Sequence, residues 1–206
     1  VPHVALPSGA LTEVPLANTT AGEIRSGFEL SGHLYVGSGR YVHKIASGTA
    51  TSATQVADFG TIAAMSTSVA ITSSTLYLGT AYWGSSAVGT AQPMVSHVVS
   101  SDTFTSAATC ARWQVASFFG PDGEGTFDQW LIGTVASGAG FKVTNSATPM
   151  DDTVGTPGSA TGTAVGERSW AVNRIVTARQ APYFLKPEGI FAVQRNGVYV
   201  PNVAPH

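Results

Sequence analysis

Apolar positions along this chain fall in short runs divided by Gly, Ser, Thr and Pro, at intervals of about ten residues, which predicts strands rather than helices. One run recurs. Three apolar residues followed by Gly and a hydroxyl residue stand at Leu34-Tyr35-Val36-Gly37-Ser38, Leu76-Tyr77-Leu78-Gly79-Thr80 and Trp130-Leu131-Ile132-Gly133-Thr134. A degenerate copy is Tyr183-Phe184-Leu185-Lys186-Pro187, with Lys186 in place of the glycine. The positions Gly37, Gly79, Gly133 and Lys186 are 42, 54 and 53 residues apart.

Each copy sits in a larger unit of strand, turn, triplet, turn and strand. Gly27-Phe28-Glu29-Leu30 leads through Ser31-Gly32 into the first triplet, and Arg40 to Ile45 follows. In the second unit Val69-Ala70-Ile71 leads through Thr72-Ser73-Ser74 to the triplet, and a Gly- and Ser-rich loop precedes Met94 to Val99. The third runs from Trp113 to Val143 around a turn at Gly120 to Gly125, and the fourth from Arg174 to Val200 with Asn196-Gly197 as a tight hairpin. Four units of this size predict an all-β chain: a propeller-like array of about four antiparallel β-sheet blades, as a closed, open or incomplete ring. The continuously apolar triplets are expected to be inner strands buried on both faces. Residues 1–22, with Pro2, Pro7 and Pro15, read as an extended N-terminal arm, and residues 23–206 as the propeller-like domain with a Gly/Ser/Thr-rich surface loop at 146–167.

Composition agrees with this. The chain holds 21 Ser, 24 Thr and 23 Gly, which disfavour helices, while its 43% hydrophobic content suffices for a core. Charged residues make up only 11% and the formal net charge is −2, so no broad basic surface is on offer and nucleic acid is not expected as a partner. No apolar run reaches the roughly 20 residues of a membrane span, nor does the N-terminus read as a signal peptide, and no membrane association is expected. The single cysteine, Cys110, excludes an intrachain disulfide and reads as a small buried hydrophobe.

The chemical motifs are sparse. Gly37-Ser38-Gly39 lacks the spacing and context of a nucleophile elbow, and no phosphate loop occurs. His33, His43 and His97 fall in or beside strands, with His43 and His97 at similar places in two units, but without the partners of a metal centre. Asp122, Glu124 and Asp128 read as a solvated hairpin rather than a calcium loop. The 12 acids are scattered, so no carboxylate pair for glycoside hydrolysis stands out. Neither a catalytic residue, a metal nor a cofactor is expected. Trp113 and Trp130 read as core. Tyr82 and Trp83 fall in the expected loop after the second triplet, where exposed rings could stack on a sugar or anchor a protein.

Over residues 23–203 the style of repeat, seen best in Tyr183-Phe184-Leu185-Lys186-Pro187-Glu188-Gly189-Ile190-Phe191-Ala192-Val193, resembles the propeller-type repeats of tailed-bacteriophage virion proteins. The resemblance implies a noncatalytic structural component of the tail, adaptor or capsid surface, located in the virion. Its partners would be other virion subunits, including copies of itself in a homo-oligomer. The alternative is a carbohydrate-binding propeller that recognises a host or substrate glycan through Tyr82 and Trp83.

Overall fold

The computed structural model describes residues 14–16, 22–46, 52–62, 69–86, 93–111, 114–121, 127–134, 140–144, 163–166, 171–178, 181–193 and 199–201. Its strands form four antiparallel sheets of four strands each. The first contains β1 (Ile24–Leu30), β2 (His33–Ser38), β3 (Tyr41–Ala46) and β4 (Thr54–Asp58). The second contains β5 (Ala70–Tyr77), β6 (Thr80–Ser86), β7 (Pro93–Val98) and β8 (Thr103–Ala111). The third contains β9 (Val115–Pro121), β10 (Phe127–Thr134), β11 (Gly140–Thr144) and β12 (Thr163–Ala164). The fourth contains β13 (Arg174–Ala178), β14 (Ala181–Lys186), β15 (Gly189–Val193) and β16 (Tyr199–Pro201). Every strand pairs with its neighbours in sequence, so each sheet is a meander. Among the described residues the helical element is a 3-10 turn at Phe59–Thr61, capped by the Asp58 carboxylate, which accepts from the Gly60 N–H at 2.8 Å.

The hairpins follow from the turn residues. Ser31-Gly32 joins β1 to β2 and Leu78-Gly79 joins β5 to β6, and all four residues have positive φ (52°, 72°, 47° and 77°), the two-residue turn whose twist suits paired strands. Leu78 is therefore a turn residue, 54% exposed, and not part of a buried triplet. Likewise Thr72-Ser73-Ser74 is no turn: β5 runs through it with a bulge.

These corrections put the second repeat in a new register. Its second strand carries Ala81-Tyr82-Trp83-Gly84-Ser85, the counterpart of Leu34 to Ser38 in β2, Trp130 to Thr134 in β10 and Tyr183 to Lys186 in β14. The key positions become Gly37, Gly84, Gly133 and Lys186, now 47, 49 and 53 residues apart. The repeat is more regular than the sequence pattern suggested.

The triplets lie inside their sheets as second strands. It is the first strands that meet between sheets, β1 beside β5, β5 beside β9 and β9 beside β13. A small residue also lets β2 close on β5 and β6: a Cβ on Gly37 would stand 2.7 Å from Ile71 Cγ2 and 3.1 Å from Trp83 Cζ3. Hydroxyls supply the polar contacts. Ser73 Oγ accepts from the Val115 N–H at 2.8 Å, Thr75 Oγ1 from the Ser117 N–H at 2.9 Å, and the Ser117 hydroxyl donates to the Leu76 carbonyl at 2.6 Å. The Ser26 and Ser74 hydroxyls pair across the first seam.

The hydroxyl after the glycine has its own task. Buried Ser38 donates to the Gly22 carbonyl at 2.6 Å, and buried Thr134 accepts from the Gln114 N–H at 3.0 Å, so each pins the segment that enters its sheet's first strand. In the fourth repeat the Lys186 ammonium, with its side chain buried, donates instead to the Val165 carbonyl ahead of β13 and pairs with Glu188 at 3.1 Å.

Of the expected arm, residues 14–16 and 22 are described, and the Pro15 carbonyl accepts from the Ala53 N–H at 3.2 Å. Within the expected loop at 146–167, Thr163–Ala164 is instead a strand, paired with Phe141 and Gly140. The rest of the arm, residues 146–162 and 167 of the loop, residues 122–125 of the expected turn and Asn196-Gly197 lie outside the described residues, while Gly120 and Pro121 belong to β9.

Candidate functional site

Tyr82 and Trp83 are not in a loop. Both lie in β6 and are buried, Trp83 in the core between the first two sheets with Tyr35, Val42, Phe59 and Ile71, and Tyr82 with Tyr77, Met94 and Val115 between the second and third. Successive residues of a strand point to opposite faces, and in a sheet packed on both sides both faces are core. The loop expected from the sequence is thus replaced by a strand, whose two aromatic side chains are core and not contacts for a partner or glycan. Burial holds the Tyr82 hydroxyl above the usual tyrosine range.

The histidines separate as well. His43 pairs with Val36, next to Gly37, whereas Val95 holds the matching place opposite Trp83, and His97 lies two residues further on. Among the described residues no group of His, Cys, Asp and Glu could hold a metal ion. Cys110 and Trp130 lie in β8 and β10; Trp113, Trp170, Asp122 and Glu124 are outside the described residues. The acids Glu23, Asp58, Asp102 and Glu188 each pair with a basic side chain: Arg25, Arg40, Lys44 and Lys186.

Two features remain. The first is a polar cluster between the first and second sheets, with His97 buried and Asp102 and Lys44 half-buried. His97, fully buried, lies 3.0 Å through Nε2 from Asp102 Oδ1, and Asp102 Oδ2 accepts from Lys44 Nζ at 2.8 Å. His97 is stacked on Phe104, with centroids 4.0 Å apart, and meets Tyr35 edge-on at 5.2 Å. Burial pushes the His97 imidazole below the ordinary histidine range despite the carboxylate. Burial would raise the Asp102 carboxyl, but hydrogen bonds from Lys44 and His97 overcome it and hold the group low. The hydrogen bond to Asp102 first, and one to Tyr35 second, raise the Lys44 ammonium. Sequence reasoning missed this cluster because its members come from β3, β7 and the turn after β7.

The second is a pair of apolar sheet faces at the ends of the array. In the fourth sheet Ile175, Phe184 and Phe191 form one cross-strand row, packed with Ala116, Val165 and Val172. The opposite face carries Val176, Tyr183 and Ala192 in one row and Arg174, Leu185 and Ile190 in the next. There Val176 is 45% and Ile190 39% exposed. On the first sheet the face away from the second carries Glu29, Leu34 and Ile45, with Leu34 40% exposed. Buried clusters fill the seams between successive sheets; among the described residues none joins the fourth sheet to the first. The Arg174 guanidinium does reach the Arg25 carbonyl at 3.2 Å, so the two end sheets approach each other at that point.

No family model matches the sequence, and no curated protein does. Solved structures do match. Two are of the extracellular domain of a system from B. thetaiotaomicron, described in one as a one component system and in the other as a hybrid two component system. They align at TM-scores of 0.56 and 0.58, each with 16% identity over 92% of this chain. The chain spans 23% of the length of each of these structures. A GH43_1 enzyme from Xanthomonas citri, solved with xylose, aligns at 11% identity and a TM-score of 0.48 over 89% of this chain and 73% of its own. At 16% identity the likeness to the extracellular domain is one of fold, and the fold is all-β, with four antiparallel meander sheets packed in series.

Proposed function

We propose that this chain is a noncatalytic, propeller-like scaffold that works by assembly, its two end sheets docking on further copies of itself in a virion. One observation carries the reading: the outer faces of the first and fourth sheets keep apolar rows partly in water, through Leu34, Val176 and Ile190, while the internal seams bury theirs. The faces differ from each other. A contact between them is head-to-tail, the arrangement that builds rings or tubes from identical subunits. The virion setting rests on the style and composition of the repeats. The glycan alternative loses its support, because the rings of Tyr82 and Trp83 are buried.

The test is light scattering on the purified chain across concentration. A defined oligomer is expected, reduced to monomer by Val176→Lys together with Ile190→Lys; a wild-type chain that stays monomeric at high concentration overturns the reading. A second reading draws on the likeness to part of a longer extracellular domain, and has the end faces covered by further sheets of the same polypeptide. It predicts a monomer that binds an apolar dye, and loss of that binding in the double lysine variant.

A further inference from the structure

The seam between the first and second sheets is closed by an aromatic core, yet a polar chain crosses it. Lys44 on β3 belongs to one sheet, and Asp102 and His97 to the other. His97 has Phe104 on one ring face, with Trp83, Tyr35 and Phe28 around it. Because Asp102 is an acceptor, the neutral imidazole donates from Nε2 and leaves Nδ1 as a bare acceptor. Among the described residues that Nδ1 is buried and has no hydrogen-bond partner. A proton added there is a buried donor with nothing to bond to, in a cage of hydrocarbon rings, the situation that low-dielectric interiors penalise most.

We propose that His97, Asp102 and Lys44 form an acid-released lock across this seam. In the neutral state Asp102 accepts from both sheets and holds them together. Once His97 is protonated, its Nδ1–H needs water, and on this proposal the water enters where Tyr35 and Phe28 of the first sheet part from His97 and Trp83 of the second. Among the described residues the titratable or charged groups facing His97 are few. Asp102 comes from the turn after β7, Lys44 from β3 and Tyr35 from β2; His33 lies one step further along β2, 6.3 Å from Tyr35. From β1, β6 and β8 it meets Phe28, Trp83 and Phe104, none of which titrates. Burial lowers the His97 imidazole, in keeping with the missing partner at Nδ1.

The Ile71 amide reports on the seam, since it donates to the Gly39 carbonyl across it at 2.7 Å. The Val115 and Ser117 amides, bonded to Ser73 and Thr75, report on the next seam. Hydrogen exchange of the full chain from about pH 7.5 to 5, a range that spans the ordinary histidine titration, should show Ile71 losing protection several-fold more than Val115 and Ser117 once intrinsic rates are corrected for. In His97→Gln, which keeps a donor toward Asp102 but does not titrate in this range, that difference should vanish. Equal loss at both seams, or an unchanged difference in the variant, overturns the lock. Should His97→Gln fail to fold, NMR titration of the wild-type histidines decides: His97 protonating at or above the ordinary histidine value of 6.5 overturns it, and protonation below 6.5 in step with Ile71 exchange upholds it.

Discussion

Gly37→Ala tests how closely the first two sheets approach. On backbone grounds alone the change is favourable, since Gly37 is absent from the positive-φ glycines and alanine restricts the unfolded chain, a gain of about 0.4–1 kcal/mol. Packing opposes it. The new Cβ would stand 2.7 Å from Ile71 Cγ2, 3.1 Å from Trp83 Cζ3 and 3.3 Å from Ile71 Cβ, and all are core atoms that cannot swing aside. Overpacking costs about 1–3 kcal/mol, and a 2.7 Å contact with a core methyl falls in the upper part of that range, about 2–3 kcal/mol. Even after a gain of about 1 kcal/mol, a net loss of about 1–2 kcal/mol remains. In a chain of this size that lowers the melting temperature by about 2–8 °C. Ile71→Ala removes the offending methyl group at a cost of about 2–5 kcal/mol by itself. The double variant should therefore be more stable than the sum of the single changes predicts, by about 1 kcal/mol. Urea unfolding followed by fluorescence gives all three values. A Gly37→Ala protein as stable as wild type, or strict additivity in the double variant, refutes the close seam.

Leu78→Asn should stabilise the protein by about 1 kcal/mol, because it places at a positive-φ turn position a residue that tolerates it and precedes Gly79; thermal unfolding checks the sign. Lys186→Met keeps the stem beside Phe191 but removes the donor to the Val165 carbonyl and the cation beside Glu188, and should cost about 1–3 kcal/mol in urea. Acid should destabilise the fold in two stages. Burial lowers His43 and His97 from 6.5, so the unfolded chain takes up protons first, and their contribution is whole above that value and falls as pH drops below it. Asp102, held below 3.8, adds a further loss when pH falls under that value. His43→Val, which copies Val95 at the matching place in the second sheet, should flatten part of the first stage in a series of melting temperatures against pH, and leave the second intact.

Local pattern carried the architecture. Ser31-Gly32 turns where its residue types say it should, and each unit forms its own meander because the pairings are between neighbours. The failures are physical too. Leu76-Tyr77-Leu78-Gly79-Thr80 copies the motif by composition, and nothing local shows that Leu78 takes a positive φ. Ala81-Tyr82-Trp83 was hidden by its own burial, since a strand covered on both faces has no alternation to read, and Gly84-Ser85-Ser86 resembles a loop. Lys186 was legible as an irregularity but not as a buried donor to Val165. The His97 cluster depends on Lys44 and Asp102, 58 residues apart, and no short window spans that distance.

The pins made by Ser38 and Thr134 set the natural cutting points of this chain. Each ties the segment just ahead of a first strand to the second strand of the same sheet, so the smallest piece that carries its own fastening begins at Gly22 or at Gln114 and ends with the fourth strand of its sheet. A gene duplication with those boundaries delivers a sheet complete with its anchor, whereas one that starts at the first strand itself leaves a buried hydroxyl without its mate. Growth by whole repeats is therefore phased to the pin, and an engineered array lengthened by copying residues 22–58 or 114–164 should accept the added sheet more readily than one cut a few residues later.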